Sequence, residues 1–104
     1  MKLNDYLDIH PDVEDAIKNK LPIVALESTI ISHGMPYPDN IETAIMVEDT
    51  VRSNNAIPAT IAIINGRLKV GLTSKEIEFL ATNNKVRKVS RRDLAITVSK
   101  KLSG

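Results

Sequence analysis

The run Pro58-Ala-Thr-Ile-Ala-Ile-Ile64 carries no charge and is dominated by β-branched and small apolar residues. Such a pattern suits a strand buried on both faces. Asn65-Gly66 follows at once. A two-residue type I′ turn needs positive φ at both central positions, which Asn and Gly tolerate, so Arg67-Leu-Lys-Val70 reads as the returning strand of a hairpin. Gly71 stops it.

The signals around this hairpin alternate between helix and strand. Pro11 ahead of Asp12, Val13, Ala16 and Ile17 has the first-turn proline and apolar spacing of a short helix, ended by Pro22. A strand follows at about 22 to 27. The stretch 32 to 38, SHGMPYP, disfavours both helix and central strand and reads as a shaped turn. Asp39 or Asn40 then caps a helix in which Ile41, Ala44, Ile45 and Val51 form the buried stripe and Glu42, Glu48, Asp49 and Arg52 the wet face. Thr73 with Glu76 makes a capping box for a helix burying Ile77, Leu80 and Ala81. Residues 85 to 89 read as a short strand. Ser90 and Asp93 repeat the cap spacing ahead of Leu94, Ala95, Val98 and Leu102.

The order α, β, α, β, β, α, β, α implies an α/β fold, a mostly parallel sheet layered with helices and containing one antiparallel hairpin. Ligands in such sheets sit beyond the carboxyl ends of the strands. Glu27 and Ser90 both fall at such ends.

Composition narrows the function classes. A chain of 104 residues with 42% apolar content suffices for one domain with a real core. Fourteen basic against thirteen acidic side chains leave a net charge of +1, giving no electrostatic reason to expect nucleic acid or a membrane as partner. Aromatic content of 3% argues against a base-stacking surface. The absence of cysteine excludes a disulfide frame, a thiolate metal site and a cysteine nucleophile. The N-terminus is polar and acidic where a signal peptide would need an apolar core, and Pro22, Glu27, Pro36 and Pro38 interrupt the low-charge stretch. The expected location is cytoplasmic.

Glu27 is the only formally charged residue between Leu21 and Pro38. A carboxylate in apolar surroundings has a raised pKa and can donate a proton near neutral pH. Equally, Glu27 could accept bonds from the Ser28 or Thr29 backbone, or pair with a lysine. Lys85 to Asp93 holds five cations in nine residues at a strand-to-helix junction. Ser90 with Lys88 and Arg91 would suit a phosphate there, and a solvated basic face is the plainer alternative. His33 could act as a base or ligand, but a lone histidine in a Gly/Pro-rich turn is more often a hydrogen-bonding turn residue, and His10 is too distant to complete a metal spacing. Lys69 reads as an exposed strand residue, and Thr60 as a buried one bonded to backbone or water.

Taken together, VALESTIISHGMPYP, IPATIAIINGRLKVGL and KVSRRD resemble the N-terminal part of the pseudouridine-5′-phosphate glycosidases, from about Asp12 to Leu94. The resemblance implies reversible cleavage of the C–C glycosidic bond of pseudouridine 5′-phosphate to ribose 5-phosphate and uracil. It implies Glu27 as proton donor and Lys88 as a substrate-binding residue, with a lysine that holds the opened sugar as an imine and a manganese ion in support. A homo-oligomer, a trimer in the family, is also implied for a full-length chain. The nucleophilic lysine and the metal-binding aspartate belong to blocks downstream of Gly104, and neither Lys100 nor Lys101 matches the nucleophile. Residues 1–104 are thus expected to be the N-terminal segment of one domain, an incomplete portion of a larger α/β/α domain and inactive alone. The alternative is a non-catalytic fragment that at most binds a phosphorylated ligand.

Overall fold

In the computed structural model, which describes residues 3–104, four strands form one sheet. They are β1 (Leu7–Ile9), β2 (Ile23–Leu26), β3 (Ile57–Ile64) and β4 (Arg67–Val70), in the order β1-β4-β3-β2. β3 and β4 are antiparallel, with Ile61 opposite Val70 and Ile64 opposite Arg67. Asn65 (φ 49°) and Gly66 (φ 78°) take the positive-φ turn that their residue types allow. β2 runs parallel to β3, and β1 parallel to β4. The sheet is therefore mostly parallel with one antiparallel hairpin, as the sequence implies.

The helices are α1 (Pro11–Lys18), α2 (Asp39–Ser53), α3 (Ser74–Thr82) and α4 (Leu94–Ser99). Alternation along β3 sends Ala62 and Ile64 into a core shared with Ala44 of α2, Ile77 and Leu80 of α3, and Val86. Val13 and Ala16, outside that cluster, bury one face of α1. The reciprocal Thr73–Glu76 capping box opens α3 as expected, with N–H···O distances of 2.9 and 3.2 Å.

The strand expected at 85 to 89 does not form. The segment lies against the C-terminal residues instead: the Arg87 N–H donates to the Ser103 carbonyl at 2.9 Å, and Gly104 exchanges two bonds with Ile63, at 2.6 and 2.8 Å. β2 pairs with β3 only as far as Leu26 opposite Thr60, so Gly104 takes backbone groups of β3 further along that strand. Leu102 is not helical either, because α4 ends at Ser99 and Lys101 turns left-handed at φ 55°. The Leu102 N–H folds back onto the Thr97 carbonyl at 2.8 Å.

β1 is an element the sequence reading lacks. Asp8 holds it to β4 through Arg67 Nη2 at 2.6 Å and Lys69 Nζ at 2.8 Å. Within α2, Glu48 is buried at 7% exposure, whereas Ile45 of the expected apolar stripe is 47% exposed. The reason for the first reversal is Thr60, whose hydroxyl meets the Glu48 carboxylate. Ile61 of β3 is 40% exposed, so β3 is not buried on both faces along its whole length.

Candidate functional site

The exposed flank of Ile61 belongs to a cavity of about 750 Å³. Its floor is apolar, with Ala25, Ile61, Ile63 and Leu68 of the sheet among its lining. Two arms of the chain reach it. One is the connector from β2 to α2, which contributes Glu27, Ser28, Thr29, Ser32 and His33. The other is the extended segment after α3, which contributes Arg87, Lys88 and Val89. An apolar pocket with a few convergent polar groups is the usual form of a small-molecule site.

Glu27 follows the last residue of β2 and is exposed. The expectation of an acid shut in apolar surroundings is corrected: β2 is an edge strand, and its end is open to the cavity. Neither a lysine nor the backbone N–H of Ser28 or Thr29 bonds the Glu27 side chain, and among the described residues no ion pair includes it. Its carboxylate is thus available to a ligand. His33 is also exposed and lies on a π-type turn over Ile30–Gly34, where the sequence indicated only a shaped turn. Wider turns of this kind often occur at functional sites.

Lys88 is exposed at the cavity, and among the described residues it forms no ion pair. Ser90 and Arg91 do not line the cavity. The Ser90 N–H and hydroxyl both donate to Asp93, at 3.0 and 2.8 Å, so this helix mouth is closed by its own cap. The Ser90 N–H, and then its hydroxyl, hold the Asp93 carboxyl below its ordinary range. Arg87, rather than Arg91, joins Lys88 at the cavity.

Lys69 also touches the cavity lining but is committed elsewhere. Its ammonium lies 2.8 Å from Asp8 and 3.0 Å from Glu76, with the side chain only 18% exposed, which corrects the reading of a simple exposed residue. The hydrogen bond to Asp8 raises its pKa against the opposing effect of burial. In turn Arg67, followed by Lys69, holds Asp8 well below the usual carboxylate range. Burial pushes Glu76 up, but the Thr73 N–H and the Lys69 ammonium together bring it below its ordinary value. A lysine kept protonated in this way is a poor amine nucleophile.

Among the described residues no three His, Asp or Glu side chains converge to hold a metal ion. The residues present therefore do not by themselves fit a manganese site. No helix among the described residues is long and apolar enough to cross a membrane.

Residues that the sequence reading missed are Arg87, Ser28, Thr29, Ser32 and Asn40. The first four line the cavity. Asn40, read as a helix cap, is buried at 2% exposure and donates from Nδ2 to the carbonyls of Ile31 and Ala81, both at 2.9 Å. A polar residue just inside a helix start was its only signal, and that signal favours a cap.

Over 98 residues the chain is 58% identical to the pseudouridine-5′-phosphate glycosidase of Deinococcus radiodurans, covering 94% of this chain and 31% of that protein. It is likewise 58% identical over 102 residues to the enzyme of the same name from Staphylococcus aureus, covering 98% of this chain and 33% of that one. It therefore spans about a third of the length of these relatives. The crystal structure of prealnumycin C-glycosynthase AlnA in complex with ribulose 5-phosphate superposes with a TM-score of 0.81 and 36% identity, over 94% of this chain and 31% of that chain. The fold and the resemblance noted in the three sequence blocks thus agree with these relatives. Residues 12–104 match the model of the family described as indigoidine synthase A like protein, and the chain belongs to that family.

Proposed function

We propose that this chain forms one wall of a site that cleaves or forms the C–C glycosidic bond of pseudouridine 5′-phosphate, with Glu27 as the proton-moving acid and Lys88 as a substrate-binding cation. The observation that carries the reading is that Glu27 and Lys88, far apart in sequence, line one cavity. Its apolar floor and basic rim match a phosphorylated sugar carrying a flat base. Uracil leaves through a carbon atom, so that carbon must receive a proton; a carboxyl group facing the cavity can deliver it and recover it in the reverse direction. The names of the relatives, and the sugar phosphate in the glycosynthase structure, point to the same substrate class.

Within the chain, the lysines at the cavity are Lys69, which is ion-paired, and Lys88, assigned to binding. The imine-forming lysine is then expected from the remaining two thirds of the family's length. A second reading follows from this: the 104 residues by themselves bind a phosphorylated ligand without turning it over.

The deciding measurement is uracil release from pseudouridine 5′-phosphate. Glu27→Gln, placed in a polypeptide that also carries the downstream lysine block, should lower the rate by at least about a hundredfold, the usual contribution of a positioned acid. Undiminished turnover would reject the assignment. The isolated chain should release no uracil yet bind ribose 5-phosphate; either turnover or lack of binding would reject the second reading.

A further inference from the structure

The two arms that reach the cavity belong to different parts of the chain, and one carries Glu27 while the other carries Lys88. Their separation has to be set by something. A single side chain touches the roots of both.

Asn40 sits in the first turn of α2 and is 2% exposed. Its Nδ2 donates to the Ile31 carbonyl, on the Glu27 arm, and to the Ala81 carbonyl, near the end of α3 where the Lys88 arm begins. Its Oδ1 accepts from the Ile41 N–H at 2.8 Å. On the first arm the bonding continues toward the site. Ile31 is 1% exposed, and its N–H donates to the Ser28 carbonyl at 3.0 Å; the Ser32 N–H reaches the same carbonyl at 3.3 Å. Ser28 is the neighbour of Glu27, and Ser32 and His33 line the cavity. On the second arm, Val86 is anchored in the core two residues before Lys88. Asn40 itself is not in the cavity lining.

An apolar residue at this position could fill the same space. It would leave two carbonyls without a donor and would fix neither the rotation of the π-type turn nor its distance from α3. A primary amide supplies two donors in one plane, so it sets both distance and direction. We infer that Asn40 is a positioning residue for the cavity: without touching the ligand, it spaces the Glu27 arm from the Lys88 arm and turns Ser32 and His33 toward the cavity. This role rests on the site reading above.

The test uses the whole 104-residue chain, labelled for amide NMR and titrated with ribose 5-phosphate. Asn40→Ser loses the reach to both carbonyls without burying a charge. It should move the amide signals of Ile31 to Gly34 and leave those of β3 in place, while the affinity falls about tenfold, the scale of one well-placed interaction. Asn40→Gln keeps both donors on a longer arm and should lose only about threefold. Affinity unchanged in a folded Asn40→Ser would overturn the positioning role and leave the cavity reading intact. If wild type itself does not bind, the reading of the chain alone as a ligand binder fails, and this role with it. Should Asn40→Ser fail to fold, Asn40→Gln decides: weaker binding with the sheet signals in place supports positioning, and unchanged affinity assigns Asn40 to the fold alone.

Discussion

Thr60 Oγ1 donates a 2.6 Å hydrogen bond to Oε2 of Glu48, joining the middle of β3 to α2 inside the protein. The other carboxylate oxygen accepts from Arg52 at 3.3 Å. A carboxylate this deeply buried is tolerated only while its bonds are made.

Thr60→Val should therefore destabilise the chain by about 1–3 kcal/mol, the cost of leaving a buried acceptor without its donor. Thr60→Ser, which keeps the hydroxyl, should cost well under half of that. Urea unfolding midpoints of the three proteins provide the comparison, and equal midpoints for Val and Ser would remove the hydrogen bond from the account.

Gly71 has φ 87°, and a Cβ there would stand 2.7 Å from Cβ of His10 and 2.9 Å from Cγ2 of Val13. Both the backbone conformation and the space demand glycine. Gly71→Ala should lower stability by roughly 2 kcal/mol or more through strain and overpacking. Thermal unfolding reads this directly; a melting temperature within a degree of wild type would contradict it.

Asp8 links stability to acid. Its folded-state pKa lies well below the ordinary 3.8, chiefly because of Arg67 and then Lys69. A depressed carboxyl pKa adds stability that is fully present above the ordinary value and is lost as pH falls through it toward the folded value. Unfolding free energy should thus fall below about pH 5, and Asp8→Asn should flatten that slope. The Asp8 side chain is 38% exposed. Solvent screening therefore limits its share to about 1 kcal/mol. Parallel pH profiles for both proteins would assign the acid sensitivity to other groups.

Lys88→Ala should weaken ribose 5-phosphate binding about fivefold to tenfold, with the loss fading as salt rises, because a partly exposed cation is screened. Arg91→Ala should leave affinity unchanged, since Arg91 stands outside the cavity. Calorimetric titration at two salt concentrations separates the two cations, and an equal loss in both would return the anion site to the helix mouth.

The hairpin, both capping boxes and the mostly parallel sheet were legible because each rests on neighbouring residues: Asn65 with Gly66, Thr73 with Glu76, Ser90 with Asp93. What could not be read depends on partners distant in sequence. Glu48 looked wet because its helix face is shared with Asp49 and Arg52, and only the approach of Thr60 draws it inward. β1 is too short for any periodicity and exists because Arg67 and Lys69 supply cations for Asp8. The strand expected at 85 to 89 has the right residue types, but its bonding partner is Ser103 rather than a sheet strand.

The same division runs through the candidate site. Glu27 stood out as a lone acid, although exposure rather than burial is what brings it to the cavity. By charge and spacing Lys88 and Arg91 were equal members of one basic run; the family resemblance singled out Lys88, and the closed cap at Ser90 sets Arg91 apart in the structure. Asn40 was invisible as a clamp, since its two carbonyl partners come from segments on either side of it in the chain.

The pairing of β1 with β4 alone also sets an order of events during synthesis. Leu7 faces Leu68 and Ile9 faces Val70, so β1, made well before β4, has no neighbour in this sheet until the hairpin has been made. β2 likewise waits for β3, whereas β3 and β4 need only each other and a two-residue turn. Closing the loop from β1 to β4 takes the largest entropy loss of the three pairings. Of the three pairings in this sheet, the one that brings in β1 therefore carries the largest topological cost.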